Sequence, residues 1–223
     1  MTQVVWYKRD LRVRDHRPLA EAAARGPVLP LYVAEPSIAA GEDFSSRHWT
    51  LLREGLWALR QSLAQRGQPL VIRCGELPEV FEQLRKQIGP FHLWAHEETG
   101  NRRTFNRDIR VRSWAQTHRI PLTEYPARGV VRPLRDRDTW AARWEATMRA
   151  PLTPAPDTLM PVPADVAPGP VPTHADLGLS PCTTAVQALS ESHAHALLDS
   201  FLHERGTHYR TDMSSPLTAQ RSC

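Results

Sequence analysis

The residues best suited by type to bind a ligand stand where apolar runs give way to charge. Lys8, Arg9, Asp10, Arg12, Arg14 and Asp15 follow directly on the apolar residues Val4, Val5, Trp6 and Tyr7. Glu97 and Glu98 follow the run FHLWA in the same way. Adjacent carboxylates can do acid–base work, or accept hydrogen bonds from the ring nitrogens of a flat heterocycle. Arg47 falls in the first turn of a predicted helix, where a cation opposes the macrodipole. A guanidinium can instead stack on a planar ring and pair with an anionic tail, and that cost points to a functional role. His195, Asp199 and His203 recur at helical spacing and could ligate a metal. They flank an apolar stripe and read as a solvated face, so no metal site is expected. GxGxxG, Walker A, GxSxG and HExxH are absent, which removes the usual routes to dinucleotide binding, phosphoryl transfer, serine hydrolysis and zinc proteolysis.

These residues need elements to hold them. A short β-branched and aromatic run without polar alternation reads as a strand buried on both faces. Residues 4–7, 28–33, 69–73, 91–95 and 120–124 fit that description. Pro30 suggests a weaker or edge position for the second of them. Asp15, His16 and Pro18 mark a helix start, with the helix over 19–25. Ser45 or Ser46 caps a long helix whose Trp49, Leu52, Leu56, Leu59 and Leu63 form a core stripe. Further helices follow Gly75 and span 103–117 and about 138–149, the last with Trp140, Trp144 and Met148 on one face, and Trp6, Trp49, Trp94, Trp140 and Trp144 all read as core packing. Strands alternating with helices imply right-handed parallel βαβ units. The fold class is therefore α/β, a five-stranded doubly wound parallel sheet of Rossmann-like type. Ligands of such sheets bind at the carboxyl ends of the strands, where Arg9, Asp10, Glu97 and Glu98 fall.

The composition changes at Ala150. Prolines at 151, 154, 156, 161, 163, 168, 170 and 172 exclude helix and central strand, so the segment reads as a stiff strap laid over a surface. A last helix, about 188–204, carries Leu197, Leu198, Phe201 and Leu202. The division expected is 1–149 as the α/β domain, 150–187 as a proline-rich interdomain linker and 188–223 as the start of an all-α domain.

The net charge of +4 over 223 residues permits contact with nucleic acid without requiring it. No apolar run approaches the ~18 residues of a membrane span. Lys8 and Arg9 stand where a signal peptide is apolar. Cys74, Cys182 and Cys223 are scattered and odd in number, as free thiols of a cytoplasmic protein are.

Trp6, Tyr7, Lys8, Arg9, Asp10, Leu11, Arg12 and Asp15 together resemble the first strand and loop of the DNA photolyase and cryptochrome family. SSRHWTLL around Arg47 is similar to a family signature, and Phe201, Leu202, Arg205 and Tyr209 resemble the opening of its flavin-binding helical domain. The resemblance implies an antenna chromophore, a deazaflavin or methenyltetrahydrofolate, held by the α/β domain near Arg9, Asp10, Arg47, Glu97 and Glu98. It implies FAD in the helical domain, with Tyr209 near the flavin phosphates and Cys223 near a weaker phosphate match. It also implies pyrimidine-dimer-containing DNA as the partner of an intact member, whose reduced flavin splits the dimer in light. The chain stops where the flavin-phosphate motif is due, so a truncated helical domain with no catalytic residues of its own is expected. The rival reading is a free-standing Rossmann-like nucleotide-binding or interaction module without catalysis.

Overall fold

The computed structural model describes residues 1–127, 129–131, 134–184 and 186–219. Five parallel strands, β1 (Thr2–Tyr7), β2 (Val28–Ala34), β3 (Val71–Cys74), β4 (Phe91–His96) and β5 (Leu122–Tyr125), form one sheet. Their order is β3-β2-β1-β4-β5. The chain builds outward from β1 through β2 to β3, then crosses back to place β4 on the other side of β1. The switch point of the doubly wound sheet therefore lies between β1 and β4.

Successive side chains of β1 enter opposite layers. Val5 and Tyr7 join Trp49, Leu56, Leu59 and Leu63 in one core cluster. Val4 and Trp6 join Phe81, Leu84, Val111 and Trp114 in the other. α1 (Arg17–Ala23) and α3 (Ser46–Ala64) cover the first face, and α4 (Glu79–Ile88) and α5 (Arg102–Thr117) cover the second. The short α2 (Pro36–Ala39) follows β2.

The helix starts have local causes. His16 caps α1, its Nδ1 accepting from the Leu19 amide at 3.1 Å, with Pro18 in the first turn. Of the two serine candidates, Ser45 caps α3, in a capping box closed by His48. Asn101 caps α5 by accepting from the Thr104 amide at 2.9 Å.

β2 is an interior strand, against the edge position that Pro30 suggests. The Pro27 carbonyl faces Gln3 of β1, whereas the Val28 amide faces Met160 on the opposite side, at 2.9 Å. Alternate residues share a direction, so Pro30 turns its missing N–H toward the β3 side. Pairing there begins one residue later, at Leu31 with Val71, and no ladder bond is lost.

The proline-rich segment runs along the outer edge of β3. Ile72 donates to the Pro168 carbonyl at 2.7 Å, and Leu159 donates to Arg66 at 2.6 Å. Leu159, Val166, Val171 and Leu177 are buried. Capping an edge in this way removes unpaired amides that would otherwise template aggregation.

α6 (Trp140–Arg149) buries no residue. Trp140 and Trp144 are 40% and 43% exposed, which corrects their expected place in the core. Their helical spacing does bring the rings together, 6.1 Å apart, but the sheet does not close over them. α7 (Glu191–His203) also buries no residue. Its start is pinned to the loop after β1, because the Glu191 carboxylate accepts from the Val13 and Arg14 amides at 2.9 and 3.1 Å. α8 (Tyr209–Asp212) follows. Among the described residues no helix is long and apolar enough to cross a membrane. Cys223 lies outside the described residues.

Candidate functional site

The β1–β4 switch point carries a buried ionic floor. Lys8 leaves β1 and donates to Asp108 of α5 at 2.5 Å and to the His96 carbonyl at 2.8 Å. Arg107 is shared by three carboxylates: Glu35 at 3.0 Å, and Glu98 and Asp108 at 2.9 Å each. Both cations lie over the Trp6 ring, Lys8 Nζ at 4.1 Å and Arg107 Cζ at 4.8 Å from its centroid. Burial works against the Arg107 charge, but Asp108, Glu35 and Glu98 outweigh it and raise its pKa above the usual value.

The carboxylates are not equally served. Glu98 meets Arg107 and accepts from the Gly100 amide at 2.6 Å, with Arg9 Nε at 4.0 Å. Glu35 uses one oxygen on Arg107, while its Oε2 is buried without a hydrogen-bond partner among the described residues. Burial raises the Glu35 pKa to about 7, with the charge and hydrogen bond of Arg107 opposing and nearby Glu76 adding to the rise. Hydrogen bonding from the Leu77 backbone amide also lowers it.

Above this floor is a cavity of about 410 Å³, within the usual range for small-molecule sites. Tyr32, Phe44, Trp49 and Leu52 give it apolar walls, and Arg9, Glu35, Asp43, His48, Glu98 and Asn101 supply polar groups. Asn101 also donates to Asp43, tying the α5 cap to the loop before α3.

The expected residues separate. Arg9 and Glu98 meet at the cavity, on one edge of the sheet. Glu97 lies outside the lining; its backbone N–H donates to the Tyr125 carbonyl at 2.8 Å. Arg47 is exposed in the first turn of α3, and His48 beside it lines the cavity instead. Asp10 is buried below the loop, where Oδ2 meets His16 Nε2 at 2.8 Å and His96 Nδ1 at 2.5 Å. Burial pushes the Asp10 carboxyl up, but hydrogen bonds and charge from both histidines hold it well below the usual range. This trio could hold a metal ion. His16 Nδ1, however, is already an acceptor for Leu19, which puts the ring proton on Nε2 toward Asp10, and the geometry is that of a hydrogen-bonded cluster. On α7, His203 turns back to the Asp199 carbonyl at 2.8 Å. Tyr209 is exposed and edge-on to Phe201, with ring centroids 5.4 Å apart. It lines none of the cavities described here.

Sequence reasoning did not single out Glu35, His48 or Arg107 as site residues. Glu35 carried the one available signal, since it leaves β2 at the carboxyl edge where such sheets bind ligands.

Sheet order, switch-point cavity and ionic floor define an α/β domain of the doubly wound class, with a candidate ligand site at its switch point. Residues 3–151 match the family model described as DNA photolyase, and the chain belongs to the DNA photolyase family. It is 31% identical over 234 residues to the cryptochrome DASH of Natronomonas pharaonis, covering 94% of this chain and 48% of that relative. Its fold is similar to that of the Synechocystis sp. PCC6803 cryptochrome, with a TM-score of 0.80 at 20% identity over 99% of this chain and 50% of that one. The archaeal photolyase of Sulfolobus tokodaii is similar with a TM-score of 0.65 at 18% identity, covering 89% of this chain and 46% of that one. That protein was crystallised with two FAD molecules, with a novel light-harvesting cofactor implied. The chain spans about half the length of the relatives it matches.

Proposed function

We propose that the switch-point cavity holds a planar light-harvesting chromophore, and that the chain works as the antenna half of a photolyase- or cryptochrome-type flavoprotein. The carrying observation is the cavity itself, with aromatic walls above a buried floor in which Arg107 binds Glu35 and Glu98. Aromatic walls suit a flat ring, and a few convergent polar groups suit its edge. Of the residues the family resemblance implies, Arg9 and Glu98 are the ones placed to touch such a ring. Asp10 acts beneath them as a support for the loop.

When bound, the chromophore supplies light absorption and passes excitation to FAD. In this reading residues 1–149 are the antenna domain, 150–187 the strap, and 188 onward the opening of the flavin-binding helical domain, with Tyr209 near the flavin phosphates. The activity of the larger assembly is light-driven repair of pyrimidine dimers in DNA or, in the cryptochrome case, blue-light reception. The free-standing nucleotide module makes the opposite forecast for the cavity.

The test is a fluorescence titration of the chain with 5-deazariboflavin, 5,10-methenyltetrahydrofolate and ATP. Saturable binding of one chromophore, unaffected by ATP, supports the antenna reading. Binding of ATP alone, or displacement of the chromophore by ATP, overturns it.

A further inference from the structure

We propose that Leu189 couples occupancy of the switch-point cavity to docking of α7, so that a ligand in the cavity tightens the hold on α7 and a docked α7 tightens the hold on the ligand. The inference rests on the antenna reading above and adds how that site communicates with the chain beyond the strap.

A second cavity, of about 490 Å³, lies between the loop after β1 and α7, with Arg12, Arg14, Ala194 and Leu198 among its lining. Arg9, Leu52 and Leu189 line both cavities and so form the wall between them. Arg9 and Leu52 belong to the α/β domain. Leu189 comes from the chain just before α7 and is 39% exposed. A ligand packed against it would take more of its apolar surface out of water.

Leu189 sits in a notch on α3. A Cβ on Gly55 would lie 2.9 Å from Leu189 Cδ2 and 3.0 Å from Leu11 Cδ1. Glycine is a poor residue inside a 19-residue helix, and this close approach supplies the packing reason for it. Two residues after Leu189, the Glu191 carboxylate accepts from the Val13 and Arg14 amides at 2.9 and 3.1 Å. α7 itself buries no residue, so its N-terminal end carries the docking.

A hold this short and local opens at low cost. A ligand that meets Leu189 only in its notch binds the docked state more tightly, and that difference shifts the equilibrium. By reciprocity, docking raises ligand affinity by the same factor. Glu191 lines the second cavity and not the first, so its removal acts on the ligand only through its neighbours. Two routes exist, one through Leu189 and one through the loop that carries Arg9. A double-mutant cycle separates them.

The experiment titrates the 223-residue chain with 5-deazariboflavin and 5,10-methenyltetrahydrofolate. Amide hydrogen exchange over residues 191–203 is followed with and without saturating probe. In the wild type, the probe that binds should slow exchange there about fivefold or more, the lower end of coupling between sites. Glu191→Ala should weaken that probe by a similar factor, and should have no further effect in a Leu189→Ala background. Gly55→Ala unseats Leu189 while favouring helix, and should speed α7 exchange in the free protein. Circular dichroism verifies each fold; where a variant does not fold, the wild-type exchange comparison decides alone. Probe binding that leaves α7 exchange unchanged overturns the proposal, as does an equal effect of Glu191→Ala in both backgrounds or unchanged exchange in Gly55→Ala. Each of these leaves the antenna reading standing. Failure of both probes to bind overturns both.

Discussion

Asp10 and His96 lie 86 positions apart in the chain and 2.5 Å apart in the fold. The contact joins the exits of β1 and β4, the two strands that flank the switch point. With His16 on its other side, Asp10 fixes the path of the charged loop from below, and Arg9 is left free to face the cavity.

Replacing Asp10 with Ala leaves two buried imidazoles without their shared acceptor. At about 1–3 kcal/mol for each unsatisfied buried group, a loss of about 3 kcal/mol is expected in urea unfolding. Its pKa is depressed in the fold, so the stabilisation is present above the unfolded value near 3.9 and is lost as pH falls through the folded value. The wild type should therefore lose more stability than Asp10→Ala as pH drops below about 4. Parallel acid-unfolding curves would contradict this.

Arg107 is the common cation of Glu35, Glu98 and Asp108. Arg107→Met strands three buried carboxylates, and a loss of about 3–5 kcal/mol is expected. Arg107→Lys should recover only part of it, since a single ammonium lacks the planar fork that reaches three acceptors. Thermal melts of the three proteins compare them directly; full rescue by Lys would mean that charge alone suffices.

Glu35 behaves in the opposite sense to Asp10. Its folded pKa of about 7 lies above the usual 4.5, so its contribution is most favourable below the unfolded value and is lost as pH rises through 7. Across that window the wild type should lose up to about 3 kcal/mol relative to Glu35→Gln. Denaturant midpoints of both proteins at pH 5 and pH 8 measure it, and a constant difference would place the Glu35 pKa at its ordinary value.

Gly169 sits in the strap at φ +72°, and a Cβ there would meet the Ile72 carbonyl oxygen and the Arg73 side chain. Gly169→Ala combines an unfavourable backbone region with that clash. It should cost about 2 kcal/mol and release the strap from the β3 edge. Limited proteolysis reads this out: cleavage between residues 156 and 177 should be slow in the wild type and fast in the variant. Equal rates would show that the strap is held elsewhere.

Much of the fold was legible because its causes are local. Val4 through Tyr7 read as a strand buried on both faces, and Ser45 and Pro18 mark helix starts through side-chain and backbone chemistry. Boundaries moved by a few residues, as at β5, where the strand runs Leu122–Tyr125. The failures were tertiary. Pro30 was compatible with an interior strand because its N–H side faces a stretch that β3 does not yet pair. Trp140 and Trp144 have the spacing of a core face, but spacing cannot say whether another layer covers it.

The site divides along the same line. Sequence alone determined that charge would gather at the carboxyl ends of β1 and β4, because strand, loop and helix alternate in a pattern with one right-handed winding. Tertiary structure decided which of those charges face the cavity. Glu98 is buried against Arg107, whereas Glu97 stays outside the cavity lining; Asp10 turns down to two histidines, whereas Arg9 turns out to the cavity. Neighbours leaving a strand point to opposite sides, so their fates differ although their chemistry does not. That Glu35 has one oxygen engaged and one open follows from how many carboxylates a single guanidinium can serve, and that count exists only once α5 has packed across the sheet.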